Sequence, residues 1–428
     1  MKAVVLAAGE GVRLRPITYT RPKHLIPIGG KPLLEHILTS LREAGLREIL
    51  LIVHYKAERI RGYFQDGSRL GLEIEYVYQP EISGTAAAVQ MAEGYVDGEF
   101  LMIYGDLLTS TEAIRRVIES HRRIKPSATM ALAPVEHPER YGVVTLDRDG
   151  FVTGIIEKPA PGTVKSNLIN AGIFILPEAI FDEIRRTPLS PRGEREITDS
   201  LTLLTRRGGR ILGVKLESCD WLDLGRPWDL LEANRRVLSR IEGEVRGSIE
   251  DGAYLRGPVY IGDGARVRSG SYIEGPVYIG GGSDVGPNCH IHPYTSIGEG
   301  VRIGNAGEVE NSIIMDGTRI GALSYIGYSI VGEGCTIGAG SITATIRFDS
   351  KTVRMRIKGQ LVDSERTELG VVMGDNVKAG VGSIFMPGVR VGCNSWIGPN
   401  TVVYGDVPPN SFLMAEQSVT EREHPQES

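Results

Sequence analysis

Cysteine is scarce: Cys219, Cys289, Cys335 and Cys393 are the four in 428 residues, and no two stand at CxxC spacing. That argues against a disulfide framework and against a zinc site built from paired cysteines. Small buried side chains are their expected role. No run of about 18 apolar residues is present, which excludes a membrane-spanning helix. The apolar stretch at the N-terminus stops at Gly9, too early for a secretory signal, so a strand of a cytoplasmic protein is expected there. Neither sign of charge dominates: 48 basic residues stand against 53 acidic ones, a formal charge of −5. Without a basic block, nucleic acid is not an expected partner. A membrane is not one either. With 41% hydrophobic and 24% charged residues, the composition is that of a folded globular chain. Its length allows roughly two to three domains.

Glycine is abundant and unevenly spread. Of 54 glycines, 22 lie in the first 242 residues and 32 in the remaining 186. The shift near residue 243 predicts two domains of different architecture, 1–242 and 243–428. In the second, an aliphatic residue recurs every six positions: Ile249, Leu255, Ile261, Val267, Ile273, Ile279, Val285, Ile291, Ile297, Ile303, Val309. The register slips by one to Ile314, Ile320 and Ile326, slips again to Val331 and Ile337, and resumes from Met373 to Val403. A small residue often follows four places later, as at Ala265, Ser271, Ser283, Cys289, Thr295 and Ser341. Each hexad reads as one short strand plus a turn, and three hexads close one triangular coil of a parallel β-helix. About seven coils are expected, with the aliphatic residue inside and the small one at the corner. A charged segment at about 343–372 interrupts the repeat, either as a solvated loop or hairpin or as an arm toward a neighbouring subunit.

The first domain reads as α/β. Apolar strands are expected at Lys2 to Ala7, Glu48 to His54, Leu72 to Tyr78 and Phe100 to Tyr104. Helical patterns are expected at Lys31 to Ala44, Thr85 to Glu93 and Thr111 to Arg123. Strands alternating with helices predict a mostly parallel, Rossmann-like sheet covered on both faces. Ligands of such sheets sit beyond the C-terminal ends of the strands. The loop after the first strand, Leu6-Ala7-Ala8-Gly9-Glu10-Gly11-Val12-Arg13-Leu14-Arg15-Pro16, is not a dinucleotide fingerprint. Gly9 and Gly11 let backbone N–H groups approach phosphate oxygens, and Arg13 offers a planar fork.

That string, with Pro22-Lys23 about ten residues on, resembles the signature of the sugar-1-phosphate nucleotidylyltransferases. The likeness continues in order through Gln79-Pro80, Gly84-Thr85, Gly105-Asp106, Tyr141-Gly142, Glu157-Lys158-Pro159, Asn170-Ala171-Gly172, Glu196-Ile197-Thr198-Asp199 and Trp221-Leu222-Asp223. With the appended repeat, which resembles a left-handed β-helix, the chain is similar to the family of bifunctional N-acetylglucosamine-1-phosphate uridyltransferases. The resemblance implies nucleotidyl transfer: a sugar-1-phosphate oxygen attacks the α-phosphorus of a nucleoside triphosphate, and pyrophosphate leaves. It implies Mg²⁺ on Asp106 and Asp223. Arg13 and Lys23 would be the catalytic cations. Leu6, Ala8, Gly9, Gly11, Gln79, Gly84 and Thr85 would bind the nucleotide, UTP or dTTP. Gly142, Glu157, Lys158 and Asn170 would bind glucose-1-phosphate or N-acetylglucosamine-1-phosphate. Plain structural readings stand beside these: a helix N-capped at Ser83, and an exposed Glu157–Lys158 ion pair.

The relatives' second activity is acetylation on the β-helix, with a His in His-Leu-Ser-Tyr-Ile-Gly as general base. Here that string is Ala322-Leu323-Ser324-Tyr325-Ile326-Gly327, and a family Asn is Thr345. Tyr325 and Lys351 survive as a remnant of that site. Alanine cannot take a proton, and His290 and His292, about two coils earlier, are expected to face solvent. The β-helix is therefore assigned to assembly, with residual acetylation as one alternative and a non-catalytic regulatory subunit as another. Tyr254, Tyr260, Tyr272 and Tyr278 are expected on one outer face, and relatives of this type pack side by side. A homotrimer or a hexamer is the expected assembly.

Overall fold

The computed structural model describes residues 1–160 and 162–421. It divides into two compact units, Met1–Leu14 with Arg21–Ala233 and Arg15–Thr20 with the chain from Asn234 onward.

The first unit is built on one sheet. Across it lie Val152–Glu157, Gly142–Leu146, Leu168–Leu176, Phe100–Tyr104, Ala3–Ala7, Glu48–Val53 and Glu73–Tyr78. Ala128–Pro134 also pairs with Leu168–Leu176, and Ile211–Lys215 pairs with Ala128–Pro134. The central strands are apolar on both faces because helices cover both. Ala3, Val5 and Ala7 enter one core with Leu34, Ile37, Leu38 and Leu41 of the helix Leu33–Glu43 and with Ile114 and Val117 of the helix Thr111–Ile124. Val4 enters the other, with Ala86 and Val89 of the helix Thr85–Gln90 and Leu201 of the helix Ile197–Arg206. Phe100–Tyr104, Ala3–Ala7, Glu48–Val53 and Glu73–Tyr78 are parallel neighbours. Leu168–Leu176 runs antiparallel to Phe100–Tyr104, and Gly142–Leu146 pairs antiparallel with Val152–Glu157. The Rossmann-like sheet is thus parallel in one half and mixed in the other, where a hairpin replaces a helical crossover.

The second unit is the left-handed β-helix, with parallel sheets of eight, nine and eight strands. Leu255, Ile273, Ile291, Val309 and Ile326 align in one ladder. Ile261, Ile279, Ile297, Ile314 and Val331 align in a second, and Val267, Val285, Ile303, Ile320 and Ile337 in the third. All but Leu255 are buried, each worth roughly 1.5–3 kcal/mol when removed from water. Ile249, which opens the repeat, is exposed. The sheets run past seven coils because Glu244–Val245 adds a strand before the repeat, Ile342–Thr343 one before the hairpin and Phe412–Leu413 one at the end. The corner residues Ala265, Ser271, Ser283, Cys289, Thr295 and Ser341 are buried. Their hydroxyls serve the turns: Ser283 Oγ donates to Gly298 O at 2.7 Å and accepts from Val301 N at 3.0 Å.

Two sequence expectations change. Cys219 is exposed, while the other three cysteines are buried, because it sits in the short turn Ser218–Asp220 rather than at a coil corner. The tyrosines form two ladders rather than one face. Tyr254 stacks on Tyr272 at 5.4 Å, and Tyr260 on Tyr278 at 5.0 Å, but the two pairs belong to different sheets. A repeat of six residues moves one sheet around the triangle, and only eighteen returns to the same one. The interrupting segment is an antiparallel hairpin, Arg354–Ile357 with Gln360–Asp363. The ladder continues past it by pairing Val331 with Met373.

Candidate active site

Three parallel strands end at one cleft of about 370 Å³ in the first unit. Leu6, Ala8, Gly9, Arg13, Lys23, Gln79, Gly84, Thr85, Asp106, Gly142, Glu157, Lys158, Asn170 and Asp223 all line it. Gly11 does not. It takes φ +66° and opens the turn Val12–Leu14, with Leu14 N donating to Gly11 O at 2.9 Å. That turn presents Arg13, so Gly11 acts on the loop's shape rather than on the lining.

Asp106 follows Phe100–Tyr104, and Asp223 ends the short strand Trp221–Asp223. The two meet because Trp221–Asp223 pairs antiparallel with Leu107–Thr109, in a register that sets Asp223 against Leu107. Leu224 N donates to Asp106 O at 3.1 Å. The Lys23 ammonium is ion-paired to Asp106. Burial pushes the Asp106 carboxyl up, but Lys23, with His24 and Arg13, outweighs it and holds the group below the usual range. Asp223 is the opposite case: burial first, then the Asp106 charge, push it up to about 6. Burial and Asp223 push the nearby Asp229 up to about 7. Like charges are crowded here, an arrangement that attracts cations.

The opposite wall is a polar network. Gln79 is buried, and its backbone carbonyl is hydrogen-bonded to His54 Nδ1 at 2.7 Å. No cap forms at Ser83: its carbonyl accepts from Arg195 N, and Gly84 is the N-cap. Thr85 Oγ1 instead reaches across, donating to Glu196 Oε2 at 3.3 Å and accepting from Ile197 N at 2.9 Å. Arg192 bridges Glu196 at 2.7 Å and Glu157 at 3.3 Å, so Glu157 faces Arg192 across the cleft. Asn170 Oδ1 accepts from Gly172 N at 2.9 Å. Trp221 Nε1 donates to Ala171 O at 2.7 Å, which fixes the strand that carries Asp223.

Sequence reasoning missed Arg192, Asp229 and His24. Arg192 stands in a turn without local pattern, and Asp229 lies in the first turn of the helix Pro227–Leu238, where an acidic residue reads as a helix start. His24 follows Lys23 directly and is fully buried, with neither ring nitrogen hydrogen-bonded among the described residues. Burial and then Lys23 hold it near 3, so the ring is neutral.

The residues of the second expected site lie on the β-helix. The Tyr325 hydroxyl donates to Glu310 Oε2 at 2.7 Å and is also hydrogen-bonded to Thr345. Lys351 is exposed at the root of the hairpin. Ala322 stands in a turn.

Gly84 has φ +109°, and a Cβ there would lie 2.3 Å from Arg195 O and 2.6 Å from Arg195 N. Backbone cannot yield as a side-chain tip would. Gly84→Ala should therefore raise KM for the nucleoside triphosphate at least tenfold and destabilise the first unit by about 1–3 kcal/mol. Steady-state kinetics and thermal melting check this; unchanged KM and melting would contradict it.

Residues 2–240 match the model of the nucleotidyl transferase family, and residues 273–385 match that of the GMPPB C-terminal domain. The chain is 44% identical to the bifunctional protein GlmU of Methanocaldococcus jannaschii, over 96% of this chain and 97% of that one. It is 40% identical to the bifunctional sugar-1-phosphate nucleotidylyltransferase/acetyltransferase of Sulfurisphaera tokodaii, over 96% of this chain and all of that one. A solved UDP-glucose pyrophosphorylase in complex with UDP-glucose shares the fold of the first unit. Its TM-score is 0.51 at 24% identity, covering 56% of this chain and 98% of that one. With a family model matching more than half its length and relatives matching nearly all of it, this chain belongs to the nucleotidyl transferase family.

Proposed function

We propose that the protein transfers a nucleotidyl group from UTP or dTTP to glucose-1-phosphate or N-acetylglucosamine-1-phosphate. The observation that carries this reading is the Arg13, Lys23, Asp106 and Asp223 cluster at the floor of the strand-end cleft. A phosphate oxygen of the sugar forms a bond to the α-phosphorus, the bond to the bridging oxygen breaks, and pyrophosphate leaves with that electron pair. Such chemistry needs alignment and charge neutralisation more than covalent help. Arg13 braces the β- and γ-phosphates. Lys23 stabilises charge growing on the α-phosphate and leaving group. Leu6, Ala8 and Gly9 give the triphosphate backbone to lie on, with Gln79, Gly84 and Thr85 on the base. Glu157 and Asn170 accept from and donate to sugar hydroxyls, Gly142 leaves room for the ring, and Lys158 holds its phosphate.

Asp106 and Asp223 would hold Mg²⁺. Their donor set fits: two carboxylates, oxygen only, whose repulsion already raises Asp223. When bound, the ion supplies neutralising charge to the phosphates.

The names of the full-length relatives favour a second reading, added acetylation. Against it, Ala322 offers no base and Thr345 no amide. We assign the β-helix to assembly, as a homotrimer or hexamer in the cytoplasm, with no membrane or nucleic-acid partner. The stacked tyrosine ladders are aromatic surface suited to a protein contact.

Purified protein incubated with Mg²⁺, a panel of nucleoside triphosphates and sugar-1-phosphates should release pyrophosphate only with UTP or dTTP and one of the two sugars. Given acetyl-CoA and glucosamine-1-phosphate, it should release no thiol above background. Purine nucleotide use, or no pyrophosphate with any pair, would overturn the first assignment, and rapid thiol release the second. Light scattering should give three or six times the chain mass; a monomer at micromolar concentration would contradict the assembly.

A further inference from the structure

The β-helix carries a cluster that nucleotidyl transfer does not use. His290 opens the strand His290–Ile291 and His292 follows that strand directly, two residues on, so both rings leave the same outer face. The next strand of that sheet, Glu308–Glu310, sets Glu308 in register with His290. One ring nitrogen of each histidine and a Glu308 carboxylate oxygen all lie within 4.8 Å of one another. His292 Nε2 is hydrogen-bonded to Glu308 Oε1 at 2.7 Å. The two rings stack at 3.8 Å, and Tyr272 meets His290 edge-on at 5.4 Å. All three residues are half-buried.

A ring ladder with one His–Glu pair would account for the stacking. It leaves one thing over: His290 Nε2 is buried and has no hydrogen-bond partner among the described residues. A buried polar atom without a partner costs about 1–3 kcal/mol. The surroundings are negative. Glu274 and Glu310 act on His290 along with Glu308, and Glu310 already accepts from Tyr325.

We infer that His290, His292 and Glu308 form a binding site for a divalent transition-metal ion on the outer face of the β-helix. Two imidazoles and a carboxylate suit Zn²⁺, Co²⁺ or Ni²⁺ and not Mg²⁺, whose ligands are oxygens. The ion replaces the His292–Glu308 hydrogen bond and gives His290 the partner it lacks. Binding at about 2.0–2.1 Å from zinc would require the two stacked rings to rotate so that a nitrogen of each points at the ion. Three protein ligands leave a coordination position for water. The site is chemically distinct from the all-oxygen pair Asp106 and Asp223.

The full-length protein is loaded with Zn²⁺ or with Co²⁺ alone, passed through a desalting column and assayed for bound metal. Wild type should retain one ion per chain, and the Co²⁺ form should show the visible absorption of a nitrogen-ligated ion. His292→Gln and Glu308→Gln should each weaken retention at least tenfold while leaving nucleotidyl transfer and the melting temperature of the β-helix unchanged. His290→Ala serves as a third, independent variant. A wild-type protein that retains no Zn²⁺ or Co²⁺, or variants that retain as much as wild type, would overturn the site.

Discussion

The constraint on which the first unit depends is the meeting of two carboxylates that repel each other. Asp106 and Asp223 come from segments more than a hundred residues apart, and left alone one of them would hold a proton. The fold forces the encounter through a two-strand ribbon, Trp221–Asp223 against Leu107–Thr109. It compensates with Lys23 directly on Asp106. Much of the surrounding structure holds this arrangement in place. The Gly11 turn presents Arg13, and the Trp221 indole ties its strand to Ala171. A Cβ at Gly225 would lie 3.0 Å from the Arg13 guanidinium and 3.1 Å from Asp223 Oδ2.

The β-helix was legible almost residue by residue, because its physics is one-dimensional. A six-residue period, three faces and a small corner residue determine which side chain points inward, and neighbouring coils need only nearest-neighbour contacts. The same period misled the reading of the tyrosines, since six residues change the face and eighteen restore it. The strand ends of the first unit were legible for a different reason: glycine, aspartate and lysine stand out after apolar runs. The antiparallel half of the sheet was not legible. Alternating strands and helices predict crossovers, and nothing local marks Leu168–Leu176 as running the other way.

The polar wall of the cleft was only half readable. Glu157, Asn170 and Thr85 lie in recognisable strings, but the network that joins them runs through Arg192 and Glu196, brought together by a loop and a helix start. Ser83 reads as the cap of the helix Thr85–Gln90, but Gly84 takes that place, and the hydroxyl of Thr85, the first helical residue, bonds to Glu196. Long-range side-chain pairings of this kind leave no periodic trace. His24 left none either, because a buried neutral histidine and an exposed one read alike in sequence. On the β-helix, Ala322 is the reverse case: the resemblance implies a base at that position, and the alanine is visible at once in the sequence, while the Tyr325 hydroxyl donates to Glu310.

If the two carboxylates work as one unit, they should fail as one unit. The direct measurement is kcat for Asp106→Asn, Asp223→Asn and the double variant, with UTP or dTTP and the preferred sugar-1-phosphate at saturation. Each single change should lower kcat at least about 100-fold, and the double should lose no more than the worse single. Single variants turning over within about threefold of wild type, or single losses that multiply in the double, would contradict the account.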